Sequence, residues 1–415
     1  MRTYKRTAAL AALLLPVTVL AACGSSSDTS AGDAAGANGG SSSNTIKVGM
    51  ICSCSGSQSS SLGRSGDVAK AWASSVNAAG GINGSQVQMI VKDDGADAAK
   101  GLQAAKELAS DGVIAIVGDM SVVDASWASY IEQAGIPVVG GESLFPPFAT
   151  SSDFFPTGGT LGVELYTSMA VGKEAGATNM AFLYCAESPI CANMEGPAQK
   201  YATSLGMKLT PAKVSATAPD YTAVCLQMKN SGADAMTIQD DGNIAQRIVD
   251  SCAAQGYQPR VVANTGSSTI TWLKDKNYEG ASVTSVNANY TDQSVPGIKR
   301  FTDAMNKYVP GLTTSDQFAY SLTWEWAAGE LFEAAAKAGD VTATSSTEDV
   351  LDGLYALKDE TLGGIAPPLN YTKGEATIIP CYFDITIKDG KYVSEGGYKC
   401  LDETEQKAFT DAGVF

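Results

Sequence analysis

The feature that most constrains this chain is a regular alternation of short apolar runs with amphipathic stretches, starting at Thr45. Residues 46–51 read as a strand that runs into a small-residue loop over 53–66, and a helix over 67–79 ends at Gly80-Gly81. The pattern continues with a strand at 86–92, a helix at 98–110, a strand at 113–117, a helix at 121–133 and a strand at 136–139. Val113-Ile114-Ala115-Ile116-Val117 is apolar without interruption, as a strand covered on both faces must be. The period then restarts: helices at 161–175, 195–205, 221–231 and 243–254 alternate with strands at 180–184, 208–214, 235–238 and 260–263. Such alternation implies an α/β fold, each unit a mostly parallel sheet with helices on both faces. Further helices are expected at 294–308, 315–338 and 348–356. The end differs in kind. A strand at 376–387, a tight Asp389-Gly390 turn and a strand from Lys391 onward form a hairpin, so the tail is expected to return and complete a sheet.

Residues 1–22 read as an export signal. Arg2, Lys5 and Arg6 precede an apolar run over 7–20, too short for a membrane-spanning helix. The run ends in Leu20-Ala21-Ala22-Cys23-Gly24, which resembles the bacterial lipobox; on that likeness Cys23 is lipidated and becomes the first residue of the exported chain. Residues 23–44 are almost entirely Gly, Ser, Ala, Asp, Thr and Asn, and cannot bury enough apolar area to offset the entropy of ordering, so they read as a flexible tether. The expected contact with the membrane is the lipid anchor alone, on the outer face. What remains, roughly 370 residues, is too long for one core and suits two lobes.

Composition excludes several functions. The formal charge is −16 without basic clusters, which argues against nucleic acid as a partner. There is no histidine, which removes the commonest general base, the commonest zinc ligand and every Ser-His or Cys-His catalytic pairing. No GxSxG elbow, HExxH motif or phosphate-binding loop occurs. A carboxylate-pair glycosidase needs no fixed spacing, but no aromatic cluster marks a sugar site. No enzyme activity, cofactor or metal is expected, and an exported hydrolase is the weaker alternative.

Of nine cysteines, the lipobox claims Cys23, leaving eight in an exported chain, an even number that points to disulfides. Cys381 and Cys400 flank the hairpin and meet if a bulge shifts its register. Cys185 and Cys191 bracket a short loop, and Cys225 and Cys252 lie on successive helices. By elimination Cys52 pairs with Cys54. Buried free thiols are the alternative, and the absence of CxxC spacing speaks against a metal cluster.

In parallel sheets, ligands sit beyond the carboxyl ends of the strands. Those ends are residues 53–61, Asp93-Asp94, 118–121 and 140–143 in the first unit, and 185–188, Gln239-Asp240-Asp241 and Asn264-Thr265-Gly266 in the second. They offer hydroxyls, amides and a few carboxylates, a surface for hydrogen-bonding a small polar solute. Each has a plainer reading: Asp93-Asp94 as a solvated turn, Ser121 and the Asp240-Asp241 pair as helix caps. Trp72, Trp324 and Trp326 read as packing residues.

Val76-Asn77-Ala78-Ala79-Gly80-Gly81-Ile82-Asn83-Gly84 and Val91-Lys92-Asp93-Asp94-Gly95 closely resemble the opening of branched-chain amino acid binding proteins of the periplasmic type I family. So do Asp111-Gly112-Val113 through Val117-Gly118 and Ala134-Gly135-Ile136-Pro137-Val138-Val139. The resemblance implies two lobes joined by three crossovers that shut around a ligand: residues 45–159 with 288–361, and 160–287 with 362–415, hinged near Gly159, Asn287 and Leu362. It further implies that Ser121 and the Gly141-Glu142-Ser143 loop dock a carboxylate, helped by helix N-termini. Thr265 falls near the family's ammonium-binding glutamate and Asp241 near one tyrosine, while the Cys185–Cys191 loop replaces the neighbourhood of another. Asp240 or Asp241 remains available to an ammonium or amide. The implied role is that of a monomeric solute-binding protein feeding the permease of an ABC importer with an amino acid, amide, urea-like compound or small carboxylate. A sensory ectodomain of the same fold is the second reading.

Overall fold

The computed structural model describes residues 44–187 and 189–413. The export signal, Cys23 and nearly all of the tether lie outside the described residues. Twelve strands form two sheets: β1 (Thr45–Cys52), β2 (Gln86–Asp93), β3 (Ile116–Met120), β4 (Val138–Gly141) and β5 (Phe154–Phe155) in the first, and β6 (Asn179–Cys185), β7 (Lys208–Val214), β8 (Ala235–Gln239), β9 (Arg260–Asn264), β10 (Ser282–Ser285), β11 (Cys381–Lys388) and β12 (Lys391–Cys400) in the second. The first sheet runs β2-β1-β3-β4-β5, all parallel. The second runs β7-β6-β8-β9-β10 in parallel and ends with β11 and β12 antiparallel. The expected α/β class is what the chain adopts, and the tail does return to complete a sheet.

Local chemistry sets most boundaries. Asp97 caps the helix Ala98–Asp111 by accepting from the N–H groups of Ala99 and Lys100, and Gly112, with φ 74°, ends it. That ending explains one correction. The apolar run 113–117 is not wholly strand: Val113 N–H closes onto Leu108 O, and the assigned strand starts only at Ile116. It continues to Met120 because Asp119 and Met120 pair with Ile51 and Cys52. The helix expected over 121–133 is also shorter. A 3-10 turn, Asp124–Ser126, precedes the α-helix Ala128–Ala134, because the N–H groups of Ser121, Val122 and Val123 bond side chains instead of starting a helical ladder. The loop expected over 53–66 contains the short helical turns Gly56–Gln58 and Ser59–Leu62, the long helix begins at Ser321 rather than 315, and the strand expected from 376 begins at Cys381.

Sequence periodicity misses β10. Its residues Ser-Val-Thr-Ser are all buried, yet three are polar, so no apolar run marks it. Their hydroxyls are satisfied internally: Thr284 Oγ1 lies 3.0 Å from Ser168 Oγ, and Ser285 Oγ donates to Asn287 O at 2.6 Å. The C-terminal helix Glu403–Ala412 is likewise outside the sequence-based expectation; Asp402 and Glu405 form its capping box.

The structure joins Cys52–Cys54, Cys185–Cys191, Cys225–Cys252 and Cys381–Cys400. In the hairpin, Lys388 faces Lys391, but a register shift between Phe383 and Ile385 brings Cys381 opposite Cys400. Asp389 and Gly390, with φ 51° and 66°, make the turn. Trp72, Trp324 and Trp326 are all buried; the ring of Trp72 meets Phe332 edge-on and that of Trp326 tilts against Phe301.

The connections between the sheets run side by side. Asn287 Nδ2 donates to Thr157 O at 3.2 Å, Ser143 Oγ donates to Gly159 O at 3.0 Å, and the Tyr371 hydroxyl donates to Pro156 O at 2.7 Å. Residues 362–371 still pack with the first sheet's elements: Ala288 N–H bonds Ile365 O, and the Phe155 and Tyr371 rings lie 5.2 Å apart. The third connection therefore crosses through residues 372–380, later than Leu362. No helix among the described residues is long and apolar enough to cross a membrane.

Candidate functional site

In a parallel sheet the loops part where strand order reverses, and this opens a crevice at the carboxyl ends. In the first sheet that point lies between β1 and β3, flanked by Ser53 and Ser121. In the second it lies between β6 and β8, flanked by Glu187 and Asp240.

At the first point a buried network is complete. Asp94 Oδ1 accepts from Ser53 Oγ at 2.7 Å and from Ala96 N–H at 2.8 Å, and Asp94 Oδ2 accepts from Ser121 Oγ at 2.5 Å. Ser53 Oγ in turn accepts from Val122 N–H, and Ser121 Oγ accepts from Trp127 Nε1 and Val123 N–H at 3.3 Å each. Asp94 is thus no solvated turn; it is fully buried and holds three chain segments together. Asp93 does sit in an exposed turn, accepting from the Ser55 and Gly95 N–H groups. The Ser121 hydroxyl proton is committed to a carboxylate, and the nearby N–H groups expected to be free helix-terminal donors are bonded.

Around this network stand acids of a different kind. Asp119, at the end of β3, accepts from Ser121 N–H at one oxygen, while its Oδ2 has no partner. Asp124 accepts only from its neighbour Ala125 and leaves Oδ2 unpaired. Glu142 follows β4, and its Oε2 is shut from solvent and unpaired. Gly141 has φ 123°, and a side chain there would meet the Asp119 backbone at 2.2 Å, so only glycine lets the two strand ends lie this close. Glu142 N–H donates to Asp119 O at 2.7 Å, and Ser143 binds the Gly158 and Gly159 carbonyls, so this loop is tied to the crossover. Burial, with Asp124 and then Glu164 adding repulsion, pushes Glu142 up to about 8. Burial chiefly raises Asp124 to about 7, and burial with repulsion from Asp124 also holds Asp119 well above the ordinary carboxylate range.

The second sheet contributes Glu164, Thr265 and Asp240. Glu164 lies in the first turn of the helix Leu161–Glu174, which packs over β9 and β10. Its Oε1 accepts from Thr265 Oγ1 at 2.5 Å, its Oε2 is unpaired, and burial lifts it to about 7 despite that bond. Asp240 accepts from Asp241 N–H, leaves Oδ2 unpaired, and is raised to about 6, first by burial. Asp241 serves as the N-cap of the helix Gly242–Ala254, bonding Asn243. That mutual repulsion between Glu142 and Glu164 carries across the seam between the two rims, and Leu144 packs against the cores on both sides.

Sequence reasoning named Glu142, Asp240 and Thr265 and took in Asp119 within the 118–121 strand end, but missed Glu164 and Asp124. Glu164 did leave a signal, as the sole charged residue in the run from Leu161 to Gly172, every residue of which is buried. A cavity of about 840 Å³ lies elsewhere, lined by Trp72, Arg300, Tyr308, Glu330 and Leu362 among the first sheet's helices. Among the described residues, no group of three or more acidic or cysteine side chains is arranged to hold a metal ion.

Two mostly parallel sheets joined by three adjacent connections define a two-lobed α/β protein. Residues 45–391 match the family described as periplasmic binding protein, and the chain belongs to that family. No curated protein matches the sequence. Among solved structures, the chain resembles a branched-chain amino acid ABC transporter protein from Thermus thermophilus with bound valine, at 16% identity and TM-score 0.74, covering 88% of this chain and 98% of that one. A fatty acid ABC transporter substrate-binding protein from Thermomonospora curvata follows at 15% identity and TM-score 0.69, covering 88% and 94%. A solute-binding protein from R. palustris in complex with benzoate gives 14% and 0.67, covering 87% and 98%. At these identities the likeness is one of fold.

Proposed function

We propose that the chain is the extracytoplasmic solute-binding component of an ABC importer, tethered to the membrane through a lipid on Cys23. The observation that carries this reading is the approach of the two rims: Glu142, beside Asp119 and Asp124 on the first, lies within electrostatic reach of Glu164 on the second, where Thr265 binds it. Three parallel connections beside that seam suit hinge motion, in which one lobe swings and the solute is enclosed. The solute docks while the lobes are apart; closure excludes water and strengthens each hydrogen bond. The closed form then presents surfaces from both lobes to a permease powered by a separate ATPase, since the chain carries no ATP motif. No catalytic step is assigned, and the chain works as a monomer.

The test is thermal unfolding of the full-length protein against amino acids, amides, ureas, amines and small organic acids. A solute at about a hundred times its Kd adds about 2.7 kcal/mol of stability. A hit recovered chemically unchanged supports capture and delivery. Turnover of the hit would replace this reading with a hydrolase, and silence across every class would remove the binding reading altogether.

A further inference from the structure

Resting on the binding reading above, the donor and acceptor balance of the seam narrows the solute class. Among the described residues, four carboxyl oxygens there have no hydrogen-bond partner: Asp119 Oδ2, Asp124 Oδ2, Glu142 Oε2 and Glu164 Oε2. Asp119, Asp124 and Glu164 are each only 1% exposed. A buried unpaired acid oxygen is costly and calls for a donor. Among the described residues the protein supplies none: no lysine or arginine there is a cause of the shifts of these four groups, and none joins them in an ion pair. On the second rim Arg247 stacks on Tyr221 and donates to the Ala216 and Ala218 carbonyls.

A carboxylate-bearing solute would bring still more acceptors to this place. Its expected dock, Ser121, already donates to Asp94. A neutral apolar solute would satisfy nothing. A metal ion lacks a coordinating group of side chains among the described residues. We infer that the seam between Glu142 and Glu164 takes an organic cation, a solute whose ammonium or guanidinium N–H groups donate to these unpaired oxygens. Ammonium and guanidinium groups carry donors only, and so complement carboxylates that only accept. The formal charge of −16 adds long-range attraction for the same class.

The test titrates the full-length protein with 1,4-diaminobutane, spermidine, agmatine and arginine, beside leucine, acetamide, succinate and benzoate, by calorimetry. The expected result is binding of amines or guanidines alone. Glu164→Gln and Glu142→Gln should each weaken that binding by about tenfold or more, the equivalent of about 1.4 kcal/mol. Both variants keep side-chain shape and remove an unpaired buried charge, so their ligand-free melting temperatures should hold or rise, which separates lost binding from lost folding. A neutral or anionic solute that binds while every cation fails would overturn the inference and leave the transport reading standing. Cation binding untouched by both variants would overturn it as well. Failure of all eight probes would count against both readings.

Discussion

Two regions of the rims handle buried acid groups in opposite ways. At the first sheet's crevice Asp94 has a donor for each oxygen, three in all, from Ser53, Ala96 and Ser121. At the seam, Glu142 and Glu164 keep oxygens without donors and are pushed toward the protonated form, as is Asp240 at the end of β8. A satisfied network rigidifies its surroundings, whereas an unsatisfied one stores a demand for a partner. The first is scaffold, and the second is the place where a bound donor gains most.

The largest expected break of that contrast is Asp94→Ala, which strands three buried donors and should cost about 3–5 kcal/mol in urea unfolding. A loss below about 1 kcal/mol would show the network to be incidental. Next comes pH. Glu164 titrates near 4.5 when unfolded and at about 7 when folded. Between those values the folded chain holds the proton that the unfolded chain releases, so stability falls as pH rises through this window and levels off above it. The contribution of this one group is on the order of 3 kcal/mol, with Asp124 and Glu142 steepening the fall. Unfolding curves from pH 5 to 8 should therefore be flatter in Glu164→Gln, and a steeper curve would sink the assignment.

Smaller effects sharpen the comparison. Ser121→Ala removes one charge-assisted bond to Asp94 and should lower stability by about 1–2 kcal/mol, while solute affinity shifts by less than about threefold. A large affinity loss at unchanged stability would return Ser121 to the ligand. Finally, neighbouring Asp241 and Asp240 should separate cleanly. Asp241→Ala loses a helix cap, about 1 kcal/mol of stability, and leaves affinity intact. Asp240→Asn should do the reverse, and the same titrations of both variants would reveal an exchange of roles.

The sequence carried the α/β class, the restart of the period and the hairpin at the tail, because apolar periodicity and turn residues act locally. Its four cysteine pairs could be proposed from spacing once the hairpin and helix pairs were placed. It did not carry β10, whose polar residues are buried only because β9 and β11 supply neighbours. Nor did it carry the role of Ser121. Serine before a helix looks the same whether it caps, contacts a solute or binds Asp94, and only the approach of β1, β2 and β3 decides among them. The sequence by itself determined which strand ends bear polar groups. Which of those groups are satisfied by the protein, and which are left for a solute, was decided by tertiary structure, since Glu142 and Glu164 stand 22 positions apart in the chain yet share one buried seam. Burial and mutual repulsion are properties of that assembly, not of either local stretch of chain.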